Sequence, residues 1–310
     1  MENTVCAVCH SSESEQLFWG QDYLHGNEGS FPVVQCKNCG LIYLNPRPSK
    51  DEIAAFYPPE YTPHSLAIKS NRKWLSRIDY WYGLTKRCRA IMRHKKKGRL
   101  LDVGCGTGEF LVRARKLGWE VYGTELSDYA ATYAREQWNL DVFIGEIEDV
   151  PFPDGFFDAI TLWNVFEHLF DPATSLEKML RLLAPGGIIV MTIPNLNSLD
   201  VKLFGKTWIG YEVPRHLHLF PSHTLSAFLE QKGLEIVDSR CLYGGYHAFF
   251  ASWQFYLQEK GKPKLQKLAA ALSGSRWLRL LSAPYFFVLD RMRAGTVLTV
   301  TCRKRDRLNA

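Results

Sequence analysis

The stretch Leu100-Leu101-Asp102-Val103-Gly104-Cys105-Gly106-Thr107-Gly108-Glu109-Phe110 decides the fold. An apolar strand runs into three glycines at alternate positions, and a helix opens directly after them. Glycine is required where backbone turns sharply or lets a ligand approach closely. The bare amides of such a loop hold a polar ligand against the first turn of the helix. Seventeen residues after Gly108, Glu125 closes a second apolar strand that starts near Trp119. An acidic residue in that place suits the two hydroxyls of a ribose.

Outward from this core, strands and helices alternate. The helix from 109 to about 117 is stopped by Gly118, and Ser127-Asp128 caps another to about 138. Strands are expected near 141–145 and 157–162. A helix near 174–183 ends before Pro185-Gly186-Gly187 and a strand over 188–193. Residues 195–220 read as loop. Ser222 is expected to cap a helix over 223–231, followed by strands over 234–240 and 296–303. The pattern predicts an α/β fold with a doubly wound, mostly parallel seven-stranded sheet.

A glycine-rich turn occurs in several nucleotide-binding folds, and the following hundred residues separate them. After the third strand comes Gly145-Glu146-Ile147-Glu148-Asp149. Then follow Pro151-Phe152-Pro153-Asp154-Gly155-Phe156-Phe157-Asp158, Phe166-Glu167-His168 and Leu183-Ala184-Pro185-Gly186-Gly187. In this order, over residues 99–193, the motifs resemble the class I S-adenosylmethionine (SAM)-dependent methyltransferases, whose reversed seventh strand the last segment fits. The resemblance implies that Asp102 orients the methionine part of SAM. It implies that Gly104, Cys105, Gly106, Thr107, Gly108 and Phe110 form the cofactor loop, and that Glu125 and Leu126 meet the ribose. Glu146 and Ile147 would flank the adenine, and Asn164 would sit near the methionine end, with a helix cap as its alternative.

Cys6-Ala7-Val8-Cys9 and Cys36-Lys37-Asn38-Cys39 form two C-x-x-C knuckles with 26 residues between them. Four thiolates so spaced make a closed tetrahedral zinc site, structural because no coordination position stays open. Such an ion replaces the core that a short segment cannot build alone. The zinc ribbon, with Leu41-Ile42-Tyr43-Leu44-Asn45-Pro46-Arg47-Pro48 and Tyr57-Pro58-Pro59-Glu60-Tyr61 after it, resembles the start of bacterial polysaccharide-linked and deoxysugar methyltransferases. Tyr57 and Tyr61 either line an acceptor pocket or pack the ribbon onto the main domain.

Net charge is +6, yet between Lys69 and Arg99 there are twelve Lys or Arg against the single Asp79. That segment reads as a basic helical linker, either a solvated face or a platform for phosphate. No basic stretch precedes an early apolar run, and no uncharged run approaches the roughly 20 residues that cross a bilayer. The chain therefore reads as cytoplasmic, with a membrane-peripheral variant left open by the segment 245–293. That segment is amphipathic and aromatic, and its part 275–293 sets Trp277 and arginines around short apolar blocks. It suits self-packing, a second subunit, a membrane interface or an acceptor lid, and Pro284 is expected to break it. The expected units are 1–62 (ribbon), 63–98 (linker), 99–244 with 294–310 (SAM-binding domain) and 245–293 (insertion).

Methylation of a hydroxyl or an activated carbon needs a base, and histidine is the side chain poised for it near neutrality. The block 208–220 resembles a segment of sugar C-methyltransferases, which implies His216 as base, with His218 as the alternative. Arg215 stands where those enzymes carry an acid and is expected to grip a phosphate or carboxylate of the acceptor. Glu167 and His168 match the end of an E-x-x-E-H metal cluster of quinone O-methyltransferases. Asn164 replaces its first glutamate, so positioning or helix-end packing is the expected role of the pair. The expected acceptor is a small molecule, sugar, glycan or glycolipid precursor. RNA, met by the ribbon and basic segment, is the alternative, and a non-catalytic SAM-binding protein is a third.

Overall fold

The computed structural model describes residues 1–57, 74–242 and 245–305. Tyr61, the part of the expected helical linker before residue 74, the boundaries at 62 and 244, and residues 306–310 lie outside them.

Seven strands form the central sheet: β4 (Arg99–Val103), β5 (Glu120–Glu125), β6 (Asp141–Ile144), β7 (Phe157–Trp163), β8 (Leu183–Pro194), β10 (Leu234–Arg240) and β11 (Val297–Lys304), in the order β10-β11-β8-β7-β4-β5-β6. All pairings are parallel except those of β11, which runs against both β8 and β10. This is the expected doubly wound fold. The chain leaves β4 toward β5 and β6, then returns to β7 on the other side. Such a reversal opens a ligand crevice at the carboxyl ends of β4 and β7. Leu100, Leu101, Ala159, Ile160, Ile188 and Ile189 are fully buried, as central parallel strands covered on both faces must be.

The helices supply that cover. In α2 (Trp74–Met92), Leu84, Cys88 and Ile91 enter the core beside Leu111 and Trp119 of the segment after β4. From Tyr80 on, the basic segment is therefore part of a packed layer. Several of its cations have partners inside the chain: Lys86 Nζ donates to Leu242 O at 3.2 Å, Lys95 pairs with Asp158 at 3.4 Å, and Arg87 lies over the Trp163 ring. On the opposite face α5 (Pro172–Leu182) buries Leu176, Met179 and Leu182.

A second, antiparallel sheet holds β1 (Ser14–Gly20), β2 (Phe31–Cys36), β3 (Ile42–Leu44) and, as fourth strand, β9 (His218–Leu219). Tyr43 pairs with His218 and Ile42 with Leu219. The N-terminal sheet is thus completed by the segment that follows β8. That segment is also more ordered than expected: 195–220 contains α6 (Leu199–Phe204), two 3₁₀ turns and β9. Trp208, Tyr211, Val213, Leu217 and Leu219 form a core of their own with Phe31, Val33, Ile42 and Leu44. The Gly, Pro and His in the segment hide this apolar set from a periodicity reading.

Arg215 lies at the centre of that junction with no exposed side-chain surface. Its Nη1 and Nη2 donate to Asp22 Oδ2 and Oδ1 at 2.9 and 2.8 Å. Nε donates to Glu212 Oε1 at 3.0 Å, and Nη1 also reaches Phe56 O at 3.2 Å. Wholly buried and with four of its five N–H donors bonded within the chain, Arg215 is not placed to grip an acceptor anion, contrary to expectation. It clamps the β1–β2 loop to the segment before β9. Asp22, although burial works against ionisation, is held below the usual carboxylate range by Arg215.

Two local expectations need correction. The helix after Phe220 is α7 (Ser222–Gln231) with Pro221 at its cap, and Ser222 Oγ instead accepts from Asn197 Nδ2 at 2.9 Å. The insertion folds as α8 (Gly245–Glu259), α9 (Pro263–Ser273) and α10 (Arg276–Arg291), and α10 runs through Pro284. Pro284 and Leu280 are exposed, so the break in the hydrogen-bond ladder that the proline makes lies on the open side of the helix. Among the described residues no helix is long and apolar enough to cross a membrane.

Removing one partner of a buried ion pair leaves the other charge uncompensated. Asp22→Ala is expected to lower unfolding free energy by about 3–5 kcal/mol, read as a fall in the urea midpoint. A midpoint within error of the parent would contradict the clamp.

Candidate functional site

The carboxyl edge of β4 carries the first part of the site. Gly104 and Gly106 have φ of +65° and +56°, in the left-handed region. A Cβ on Gly104 would come within 2.8 Å of Val165 Cγ2, whereas one on Gly106 would enter open space. The loop is therefore a backbone cradle with room above it. Glu125 holds it from β5: its Oε2 accepts from Gly106 N–H at 2.8 Å and its Oε1 from Ser127 N–H at 2.9 Å. Asp102 is buried at the tip of β4, with Thr161 Oγ1 donating to it at 2.5 Å. Burial pushes its carboxyl up to about 7, against the pull of Thr161 and Arg87.

Asn164 ends β7 with φ +58° and is locked by Thr192, whose Oγ1 accepts from Asn164 N–H at 2.8 Å and donates to its Oδ1 at 3.0 Å. The adjacent 3₁₀ turn has Val165 at its cap, so Asn164 is no cap. Glu146 faces Lys50 Nζ, 2.8 Å from each carboxylate oxygen, and Leu126 is exposed beside Glu125. These residues, with Gly104 and Gly106, fit a ligand such as SAM: a glycine turn with open space above it, carboxylates at the ends of β4 and β5, and an open rim. Three expected side chains turn away from it. Cys105 packs under Gly123, Phe110 meets Trp163 edge to face in the core, and Ile147 is buried. Thr107 Oγ1 is likewise committed, donating to Glu109 at 2.7 Å.

The second part lies beyond β7. His168 and His216 meet edge to face at 4.7 Å between centroids. His216 Nδ1 is 2.8 Å from Gly210 O, and a carbonyl oxygen only accepts, so Nδ1 carries the proton and Nε2 keeps its lone pair. That Nε2 lies 3.7 Å from Glu212 Oε2 and 3.9 Å from Glu167 Oε1. Burial lowers the pKa of His216 and takes that of His168 down to about 3, so both rings are neutral at pH 7. Burial also raises Glu167 to about 8, which makes it mostly a carboxylic acid. Burial disfavours the Glu212 carboxylate too, but the charge of Arg215 and the hydrogen bond from its Nε hold it ionised. The two glutamates thus differ in charge beside one imidazole. His168 Nδ1 sits 3.0 Å from both Arg215 O and Tyr57 Oη. Burial first, and then the charge of Glu212, raises the Tyr57 phenol, so it keeps its proton. The expected alternative base, His218, is instead buried in β9 beside Tyr43 and does not join this group.

The four N-terminal cysteines converge. Cys6 and Cys39 sulfurs are 3.4 Å apart, as are those of Cys9 and Cys36, and all four lie within 4.8 Å of one another. A tetrahedron of bonds about 2.3 Å long needs sulfur separations of about 3.8 Å. The knuckles are built alike: His10 N–H donates to Cys6 O and Gly40 N–H to Cys36 O, at 2.9 and 3.0 Å. The donor set and its spacing fit a zinc ion.

Sequence reasoning missed Glu212 and Arg87. Glu212 is one acid in a mixed loop, and only folding brings it to His216. Arg87, whose charge acts on Asp102, was lost among the basic residues of α2. Tyr57 was noticed, but its partner His168 is 111 residues away.

The methyltransferase domain family matches residues 74–239, more than half of the chain. A "Probable S-adenosylmethionine-dependent methyltransferase" of Mycolicibacterium smegmatis is 25% identical over 61% of this chain and 73% of its own length. The malonyl-[acyl-carrier protein] O-methyltransferase of Yersinia pestis is 30% identical over 50% of this chain and 54% of its own length. The ubiquinone biosynthesis O-methyltransferase of Xanthomonas oryzae is 28% identical over 45% and 64%. The chain thus spans only part of these relatives, and they act on different acceptors. In fold, the [4+2]-cyclase SpnF superposes with a TM-score of 0.54 at 21% identity, covering 84% of this chain and 97% of that one. With the cradle at β4, the acid at β5 and the family match in one place, the chain belongs to the class I SAM-dependent methyltransferases.

Proposed function

We propose that the protein methylates a hydroxyl or an acidic carbon of a sugar, glycan or glycolipid precursor, with His216 as general base. The observation that carries this reading is the state of His216. Its ring is neutral, its Nδ1 proton is tied to Gly210 O, and its Nε2 lone pair faces a group that includes the ionised Glu212. SAM supplies a methyl group on a positive sulfur. Asp102 would bind its ammonium, Glu125 its ribose, and the 104–108 loop would orient it. Nε2 of His216 would take the acceptor's proton, and Glu212 would stabilise the imidazolium so formed. The polar lining by Tyr57, His168 and Glu167 suits an acceptor that carries several hydroxyls.

In the same reading Cys6, Cys9, Cys36 and Cys39 hold a structural zinc ion. The units are 1–62, 63–98, 99–244 with 294–310, and 245–293, with β9 lent by the third to the first.

The test is incubation with methyl-labelled SAM and fractionated cell extract. Label is expected in nucleotide sugars, glycans or lipid-linked sugars, and label in RNA alone would overturn the reading. His216→Ala is expected to cut turnover about 100-fold or more while calorimetric SAM affinity stays the same; full activity refutes the base. Asp102 must be ionised to pair with an ammonium, and its pKa stands near 7. SAM affinity should therefore rise about tenfold per unit as pH climbs toward 7, and Asp102→Asn should flatten that slope. Elemental analysis should find about one zinc per chain, and chelation should lower the thermal midpoint. A folded, metal-free protein would contradict the zinc site.

A further inference from the structure

Helix α10 exposes far more apolar surface than it covers. None of its residues is buried. Phe286 is its anchor, meeting Tyr246 and Phe249 of α8 at 5.7 and 6.2 Å between ring centroids. The side away from Phe286 carries Trp277, Leu280, Leu281, Tyr285, Phe287, Val288 and, just past the helix, Met292. Trp277 is 79% exposed, Leu281 78% and Met292 70%. Positions 277, 281, 284, 288 and 292 follow one another at steps of three or four, so they form one stripe. At 1.5 Å per residue the stripe is about 22 Å long. Single exposed apolar residues are ordinary, but a continuous face of this kind marks an interaction site. Among the described residues nothing covers it.

The surrounding charge identifies the occupant. Residues 260–293 hold eight Lys or Arg and one Asp, a net charge of +7 against +6 for the whole chain. The rest of the protein is therefore close to neutral. The lone acid, Asp290, is drawn inward, since a Cβ on Gly295 would lie 2.4 Å from its Oδ1. The cations stay outward: Lys262, Lys264, Lys267, Arg276, Arg291 and Arg293 are exposed. Arg276 adjoins Trp277 and Arg291 adjoins Met292, so cations border the apolar stripe at both ends. A second copy packed face to face would set like charges against each other, whereas a surface with negative headgroups and an apolar interior complements both features.

We propose that the α9–α10 face docks the protein on an anionic phospholipid bilayer, with α10 lying in the headgroup plane. The docking element is tied to the acceptor side of the site. Helix α8 packs on the 3₁₀ turns that precede His216, and Ser252 Oγ accepts from Ile209 N–H at 3.0 Å. The face thus brings the His216 side of the enzyme to the membrane. The docking itself stands whether or not the acceptor is a sugar.

Vesicle co-sedimentation of the full chain tests this, with phosphatidylcholine alone and with a phosphatidylcholine–phosphatidylglycerol mixture, at low and high salt. Strong binding is expected only to the mixture, weakened by salt. Trp277→Ser with Leu281→Ser, and separately Lys264→Gln with Lys267→Gln, should each weaken it about tenfold or more. Both variants lie outside the catalytic and SAM-binding residues, so unchanged SAM affinity certifies their folding. No binding, or equal binding to both vesicles, overturns the proposal. So does a lipid-free dimer by light scattering that the Trp277→Ser/Leu281→Ser variant abolishes, which would assign the face to a second copy.

Discussion

A guanidinium taken wholly out of water costs several kcal/mol unless its donors are met. Arg215 satisfies this with Asp22, Glu212 and Phe56 O, groups drawn from three stretches of chain. Only one relative placement of the β1–β2 loop, the turn after β3 and the segment before β9 meets all of these bonds. His216 is the next residue, so its position follows from that placement. Glu212 belongs to both systems: one oxygen accepts from Arg215 and the other faces His216. The group that anchors the fold therefore also sets the charge beside the imidazole.

The parts of the protein legible in its sequence are those written in local spacing. Alternate glycines after an apolar strand, an acid ending the next strand and paired cysteines three apart each carry their meaning within a few residues. Alternating strand and helix patterns did the same for the sheet. What could not be read depends on distant partners or on exposure. Asp22 stands 193 residues before Arg215, and no periodicity joins them, so Arg215 looked like an anion grip. Strand β9 has two residues, below any pattern length. Phe110 carries the same letter whether it faces a cofactor or Trp163. Pro284 breaks helices in general, and only its place on a solvated face lets α10 continue.

Glu167 and Glu212 show how one fold obtains two carboxyl states a few ångströms from one ring. Burial neutralises the first, whose Oε2 has no hydrogen-bond partner among the described residues. The second is a little more open and accepts a hydrogen bond from the Arg215 guanidinium, which keeps it ionised. Environment, not residue type, separates them.

The pairing of Tyr43 with His218 has a thermodynamic consequence. Strand β3 follows the second cysteine knuckle by three residues, and β9 follows His216 by two. An ion at the cysteines and an acceptor at the histidines would therefore favour the same backbone arrangement. Coupling of this kind is reciprocal. By whatever factor the metal sharpens acceptor affinity, the acceptor must sharpen metal affinity equally, and scarcity of either would be felt at the other's site.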